Sequence, residues 1–69
     1  MKFYIGNKVR ITKVAPFADC FLGSIGEIVD IEEDLYVIKL NKISEEMKVF
    51  DDARRGIVYF EEDALEKIV

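Results

Sequence analysis

Residues 5–31, IGNKVRITKVAPFADCFLGSIGEIVDI, predict two β-strands joined by a long loop, and the rest of the chain supplies strands that pair with them. Apolar and polar side chains alternate from Lys8 to Val14, and a period of two over this length indicates a strand with one buried face. Pro16 ends the regular pairing, since proline has no N–H to donate to a neighbouring strand. Gly23 and Gly26 then bring the chain round into a second predicted strand, residues 27–31.

Three more strands are predicted in the rest of the chain. Residues 35–40, LYVIKL, follow an acidic turn and are apolar on both faces until Lys39, so this strand is expected away from the sheet edges. The next strand is residues 57–60, IVYF, and a short closing strand covers Leu65 to Val69 after a helical turn. We therefore predict an all-β fold: one domain over residues 1–69, built as a five-stranded small barrel with a helical turn before the last strand.

The segment 43–56, ISEEMKVFDDARRG, supports two readings. Ser44 at an N-cap, acidic residues in the first turn, Arg54 in the last turn and Gly56 after it follow the order that a helix prefers. Residues 47–50 alternatively fit a short strand. We predict one short helix or helical turn in this insertion.

Each strand contributes apolar residues to the predicted core. A chain of 69 residues has room for only one small core, and truncating one core side chain is therefore costly. The predicted core residues are Val9, Ile11, Ile28, Ile38, Leu40, Val58, Phe60 and Leu65.

Cysteine and histidine usage limits the chemistry of the chain. Cys20 is the only cysteine and there is no histidine, which excludes an internal disulfide and a Cys/His zinc cluster. A lone thiol suits a reducing cytoplasm. No apolar run approaches the roughly 20 residues that a membrane-spanning helix needs, and residues 1–5 lack the apolar region of a signal peptide. We expect a cytoplasmic protein that does not enter a membrane.

The sequence predicts no enzymatic activity. Without histidine, Cys20 and Ser24 have no imidazole base to activate them. Glu32, Glu33 and Asp34 are consecutive, so alternate side chains diverge, and they lack the spacing of a calcium loop. The G-x-x-G string at 23–26 is flanked by predicted strands, whereas a KH-type RNA clamp requires helices. We therefore expect no catalytic residue, no cofactor and no metal.

The charge of the chain is unevenly distributed. Residues 1–22 carry four basic side chains and one acidic side chain, whereas residues 23–69 carry six basic and thirteen acidic ones. A net charge of −4 opposes binding to phosphate backbones. Lys8, Arg10 and Lys13 are the candidate nucleic-acid-binding residues, although a solvated strand face explains them more simply.

The loop after the first strand carries unusual apolar residues. Phe17, Phe21 and Leu22 lie in a segment that proline and glycine mark as loop, so they either close one end of the barrel or contact a partner. Phe21 precedes the turn at Gly23 and is expected to pack inward. Phe17 follows Pro16, whose fixed φ holds the chain away from the sheet, and is expected to be exposed. These three residues are the candidate partner-binding residues.

The order of elements and several short motifs resemble the SH3-like small barrels of the KOW type, which include the C-terminal domain of the transcription factor NusG. The matching motifs are the glycine at 6, V-R-I at 9–11, P-F-A-D at 16–19 and G-E-I-V-D at 26–30. The tail Y-F-E-E-D-A-L at 59–65 is more similar to the SH3-like PsaE-type subunit of photosystem I. In NusG-like domains the matching loop belongs to the partner-binding surface, so the resemblance implies the same role for Phe17 and Phe21. Insertion 43–56 is longer than either relative suggests.

Three functions are consistent with these observations. We expect a binding module or small accessory subunit that docks on a larger cytoplasmic protein assembly, with homo-oligomerisation left open and the partner unidentified. One alternative is a KOW-type transcription- or ribosome-associated factor that contacts nucleic acid. Another is an acidic, phage-borne inhibitor that occupies a nucleic-acid-binding protein through residues 32–34, 51–52 and 61–63.

Overall fold

A computed structural model of the chain describes residues 2–68. Its strands are β1 (Lys8–Ile11), β2 (Ile25–Glu32), β3 (Leu35–Leu40), β4 (Ile57–Glu61) and β5 (Leu65–Ile68). One short helix, α1 (Asp51–Arg54), and three 3-10 turns, Pro16–Phe21, Glu46–Val49 and Glu62–Ala64, lie between them. The predicted all-β fold is confirmed, with five strands and a helical turn before the last. Val69, which was assigned to the closing strand, lies outside the described residues.

The strands form one antiparallel sheet in the order β4-β3-β2-β1-β5. β3 lies between β2 and β4, as its apolar faces predict. The sheet does not close into a hydrogen-bonded barrel, because β4 and β5 stand at its two ends. This arrangement is compatible with an SH3-like fold.

The middle strand, β2, carries a bulge and a close backbone approach. Ile28 pairs with Ile38 but Asp30 pairs with Val37, so Val29 is an extra residue that bends the strand. Gly26 pairs with β1 on one side and β3 on the other. A Cβ atom on Gly26 would lie 2.5 Å from the carbonyl oxygen of Lys39, so no larger residue fits without movement. The sequence placed Gly26 in a turn, whereas the structure places it inside β2.

The first strand is shorter than predicted. β1 ends at Ile11 rather than Val14, and the backbone N–H of Thr12 makes one more in-register hydrogen bond, to the carbonyl of Ala64 just before β5. Gly23 then donates its N–H to the carbonyl of Ile11, so the long loop leaves and rejoins the sheet at the same point.

The predicted core is confirmed except at Phe60, which is only partly buried. Phe60 instead packs against the edge of the core, with its ring centroid 6.2 Å from that of Phe21. The structure adds core members that the sequence left unassigned. They are Phe3, Tyr36, Met47 and Ala53.

Phe3 joins the amino-terminal segment to the rest of the core. Its side chain is 1% exposed, and its ring meets the ring of Tyr36 edge-on with centroids 5.4 Å apart. The Phe3 N–H donates to the hydroxyl oxygen of Tyr36, which in turn lies 3.4 Å from Oε1 of Glu62. The backbone N–H of Lys2 also donates to this Glu62 oxygen, at 2.9 Å. The segment is therefore tied to both β3 and the last 3-10 turn.

The insertion 43–56 contains two short helical turns instead of the single one predicted. The 3-10 turn Glu46–Val49 and helix α1 are separated by Phe50, whose backbone is extended at φ −99° and ψ 122°. Ser44 is not an N-cap, because Glu45 holds that position without a side-chain hydrogen bond. Gly56 follows α1 with φ 81°, as its predicted place after the helix requires. The alternative strand at 47–50 is wrong.

We predict that Gly26→Ala destabilises the fold by about 1–3 kcal/mol, because the added methyl group forces the β2 and β3 backbones apart. Thermal denaturation followed by circular dichroism should show a clear fall in Tm. Ser24→Ala is the matched control, since it changes a half-buried residue two positions away and should leave Tm nearly constant. An unchanged Tm for Gly26→Ala would contradict the close approach of the two strands.

Candidate functional site: an apolar groove beside β4

The loop between β1 and β2 exposes one phenylalanine and buries the other. Pro16 begins the 3-10 turn Pro16–Phe21, where its missing N–H costs nothing. Phe17 is 79% exposed, whereas Phe21, four residues later, is 4% exposed. Both predictions for these side chains are confirmed. Leu22 is also exposed, but it borders a separate depression beside Met47. The structure therefore brings together Phe17 and Phe21, but not Leu22.

A row of aromatic rings connects the exposed side chain to the core. The ring centroid of Phe17 lies 6.4 Å from that of Phe50, which lies 5.1 Å from that of Phe21. Phe21 in turn contacts Phe60 of β4. Phe50 was not a candidate partner-binding residue, because a helix or a strand over this segment places it on one face of that element but does not predict its contact with the β1–β2 loop. Its burial depends on packing from the distant loop.

An open groove of about 400 Å³ runs between this loop and β4. Its walls are apolar, and two carboxylates, Asp51 and Asp52, lie at the end where α1 begins. The apolar and aromatic lining residues are Ala15, Phe17, Ala18, Phe21, Phe50, Ala53, Ile57, Val58, Tyr59 and Phe60. The groove therefore presents a continuous apolar surface with negative charge at one end.

The candidate nucleic-acid-binding residues have acidic neighbours. Nη1 of Arg10 lies 3.1 Å from Oε1 of Glu66, which faces it across the β1–β5 pair. Nζ of Lys13 lies 3.7 Å from Oδ2 of Asp63. Both pairs are exposed, so solvent screens them. A carboxylate nevertheless accompanies both Arg10 and Lys13, which reduces their attraction for phosphate.

Acidic residues from two turns meet at the other end of β4. The β2–β3 turn supplies Glu33 and Asp34, and the region of the last 3-10 turn supplies Glu61, Glu62 and Asp63. They line a depression of about 440 Å³ whose apolar wall includes Ile31 and Tyr36. Within residues 2–68, no three histidine, cysteine, aspartate or glutamate side chains are arranged so that they could hold a metal ion. Asp51 and Asp52 border the apolar groove and not this depression.

Cys20 and Ser24, the two possible nucleophiles, lie in and just after the 3-10 turn Pro16–Phe21. Cys20 is half-buried against the core in the 3-10 turn Pro16–Phe21. Ser24 follows that turn and donates its backbone N–H to the carbonyl of Phe21.

In the described part of the chain, none of the helical segments has the length and apolar character of a membrane-spanning helix.

Comparison with protein-family models, with curated proteins and with solved structures gives no match to this chain. The resemblance to KOW-type barrels therefore stays a prediction that depends on the quoted motifs. The function has to be argued from the groove and the charges around it.

We predict a large loss of stability when Phe21 is truncated and almost none when Phe17 is truncated. Phe21→Ala should lower the unfolding free energy by about 3–5 kcal/mol because it removes a buried ring. This loss is a large part of the total stability of such a domain, which amounts to roughly 0.05–0.15 kcal/mol for each residue of the chain. Phe17→Ala should change it by no more than about 0.5 kcal/mol. Urea denaturation measures both changes, and Phe21→Leu provides a milder variant if Phe21→Ala does not fold. Equal, large losses would show that Phe17 also stabilises the fold.

We predict that duplex DNA or RNA binds only weakly at physiological salt, because the chain carries a net charge of −4 and acidic side chains face Arg10 and Lys13. Titration followed by fluorescence anisotropy at several salt concentrations measures this. Glu66→Gln and Asp63→Asn, which release the two cations, should strengthen binding. Tight binding by the unmodified chain with a steep salt dependence would contradict the prediction.

Proposed function

We propose that this chain is a non-enzymatic binding module or small accessory subunit that docks on a larger cytoplasmic protein assembly through the groove between Phe17 and β4. The observation that supports this function is the exposure of Phe17 beside an apolar groove whose other aromatic rings are fixed by the core. An exposed aromatic side chain on a rigid support loses little conformational entropy on binding. Such residues anchor protein interfaces more often than other residues do.

A protein partner fits the groove better than a nucleic acid does. The walls are apolar, and the charged residues at the rim include Asp51 and Asp52, which repel phosphate. One face of Phe17 already contacts Phe50, and the rest of the ring is available for contact. This is the pattern of a protein-binding patch with an apolar centre and a polar rim.

The acidic depression supports a second candidate function, that of an inhibitor that occupies a basic surface on a nucleic-acid-binding protein. The supporting observation is that two distant turns bring Glu33, Asp34, Glu61, Glu62 and Asp63 together. The nucleic-acid-contacting KOW factor has weaker support, since carboxylates accompany two of its three candidate residues.

Site-directed photocrosslinking in living cells of the source organism tests the docking surface. A photoreactive phenylalanine analogue at position 17 should give a discrete crosslinked product with one protein. The same analogue at position 4, where Tyr4 is 67% exposed and does not line the groove, is the matched control. The purified partner should then bind the Phe17→Ala variant at least tenfold more weakly, which corresponds to about 1.4 kcal/mol.

Two results would contradict the proposal. Equal crosslinking from positions 4 and 17 would show that the groove has no special role. A partner that binds Phe17→Ala as tightly as the unmodified chain would place the interface elsewhere. If that partner instead loses affinity when Glu33 is changed to glutamine and Asp34 to asparagine, the acidic inhibitor is the better description.

A further inference from the structure

We propose that the partner binds as an extended peptide segment that adds to the sheet as a strand beside β4, with apolar side chains at its centre and basic side chains at both ends. This inference depends on the proposed function, because it names the kind of partner that the groove accepts. It adds a backbone interaction to the side-chain contacts described above.

The register of β3 and β4 shows which backbone groups of β4 are free to pair. Leu40 donates its N–H to the carbonyl of Gly56, so this pair is of the hydrogen-bonded type. Such pairs alternate along an antiparallel ladder. The ladder therefore directs the backbone groups of Val58 and Phe60 towards β3, and those of Ile57 and Tyr59 away from it.

The outer edge of β4 has no strand partner in the described part of the chain. No backbone hydrogen bond joins Ile57 or Tyr59 to another residue within 2–68 on that side. Exposed edges of this kind are the sites where an extended peptide adds to a sheet, with backbone hydrogen bonds giving affinity and side-chain pockets giving specificity.

Space for a peptide extends along the whole of β4. A second depression, of about 510 Å³, continues from the apolar groove and shares Ala15, Tyr59 and Phe60 with it. The two depressions are bounded by the loop residues 13–18 and by residues 57–61. At about 3.3 Å per residue this strand is long enough to pair with a segment of five or six residues.

The acidic residues at the two ends of these depressions favour a peptide with basic side chains at both of its ends. Asp51 and Asp52 lie at one end, and Glu61 and Asp63 lie at the other. Asp52 is paired with Arg55, and Asp63 is paired with Lys13, so Asp51 and Glu61 carry the less compensated charges. The centre is occupied by Phe17, Tyr59 and their apolar neighbours. A segment with alternating apolar residues between two arginines complements this arrangement.

A second copy of the chain fits less well than a basic peptide. Antiparallel pairing of two β4 strands about Tyr59 would place Ile57 of each copy opposite Glu61 of the other. The carboxylates of Asp51 and Asp52 would then lie towards those of Glu61 and Asp63 in the second copy. Like charges opposite one another destabilise a sheet. Charge complementarity therefore favours a partner other than the chain itself.

The test uses the full chain and the synthetic peptide Ac-RVTVTVR-NH2, with binding measured by calorimetry. Amide hydrogen exchange measured by NMR should show slower exchange at Ile57 and Tyr59 when the peptide is bound. Val58 and Phe60, whose amides already pair with β3, are the internal controls and should change much less. The peptide Ac-EVTVTVE-NH2 should bind at least tenfold more weakly.

Backbone methylation separates strand addition from simple burial of side chains. Two versions of the peptide are made with the same side chains. One version is N-methylated on the odd-numbered residues and the other on the even-numbered residues. Strand addition predicts that one version loses at least tenfold in affinity while the other binds nearly as well as the parent. Equal affinity of both versions, or unchanged exchange at Ile57 and Tyr59 in the complex, would overturn the inference.

The remaining outcomes are also decisive. No detectable binding of the parent peptide, or a concentration-dependent dimer that protects Ile57 and Tyr59 without it, would overturn the inference. The proposed function has a separate criterion, which is crosslinking from position 17 in cells. A specific crosslink without strand addition would keep the binding module and reject the strand, whereas loss of the crosslink would reject both.

Discussion

The close approach of β2 to β3 at Gly26 is the constraint on which the sheet depends. Because residue 26 has no side chain, the carbonyl oxygen of Lys39 can lie only 2.5 Å from the position that a Cβ atom would take. Three neighbouring strands therefore meet at one glycine, with Val9 on one side and Leu40 on the other. The bulge at Val29 follows three residues later and bends β2. The core side chains of β1 and β3 converge around this strand.

In the loop after β1, Phe21 stabilises the fold and Phe17 is the residue available to a partner. Phe21 fills the core, and its contact with Phe50 fixes the ring against which Phe17 lies. Phe17 itself adds little buried area to the fold. A partner can therefore contact Phe17 without disturbing the packing that keeps the groove open. The edge of β4 lies next to this surface, so side-chain and backbone contacts are available together.

Sequence patterns predicted the strands well because their signal is local. Alternation in β1, the apolar run of β3 and the glycine after α1 each depend on residues that are close in sequence. The division between exposed Phe17 and buried Phe21 also followed from the local effects of proline and glycine. The elements that were wrong or missed depend on distant contacts. Phe3 is buried against Tyr36, which is 33 residues away in the sequence, and Phe50 joins the groove through Phe17 and Phe21 of the distant loop.

The hydrogen bonds of Lys2 and Phe3 have a consequence for folding during synthesis. Their partners include Glu62, so Lys2 and Phe3 reach their final contacts only after residue 62 has left the ribosome. β1 likewise gains one of its two neighbours only when β5 has emerged. Contacts between distant residues make folding slow, because loop closure must precede the stabilising interactions. Residues 2–11 therefore gain these partners late, and until then the apolar face of β1 stays exposed to solvent.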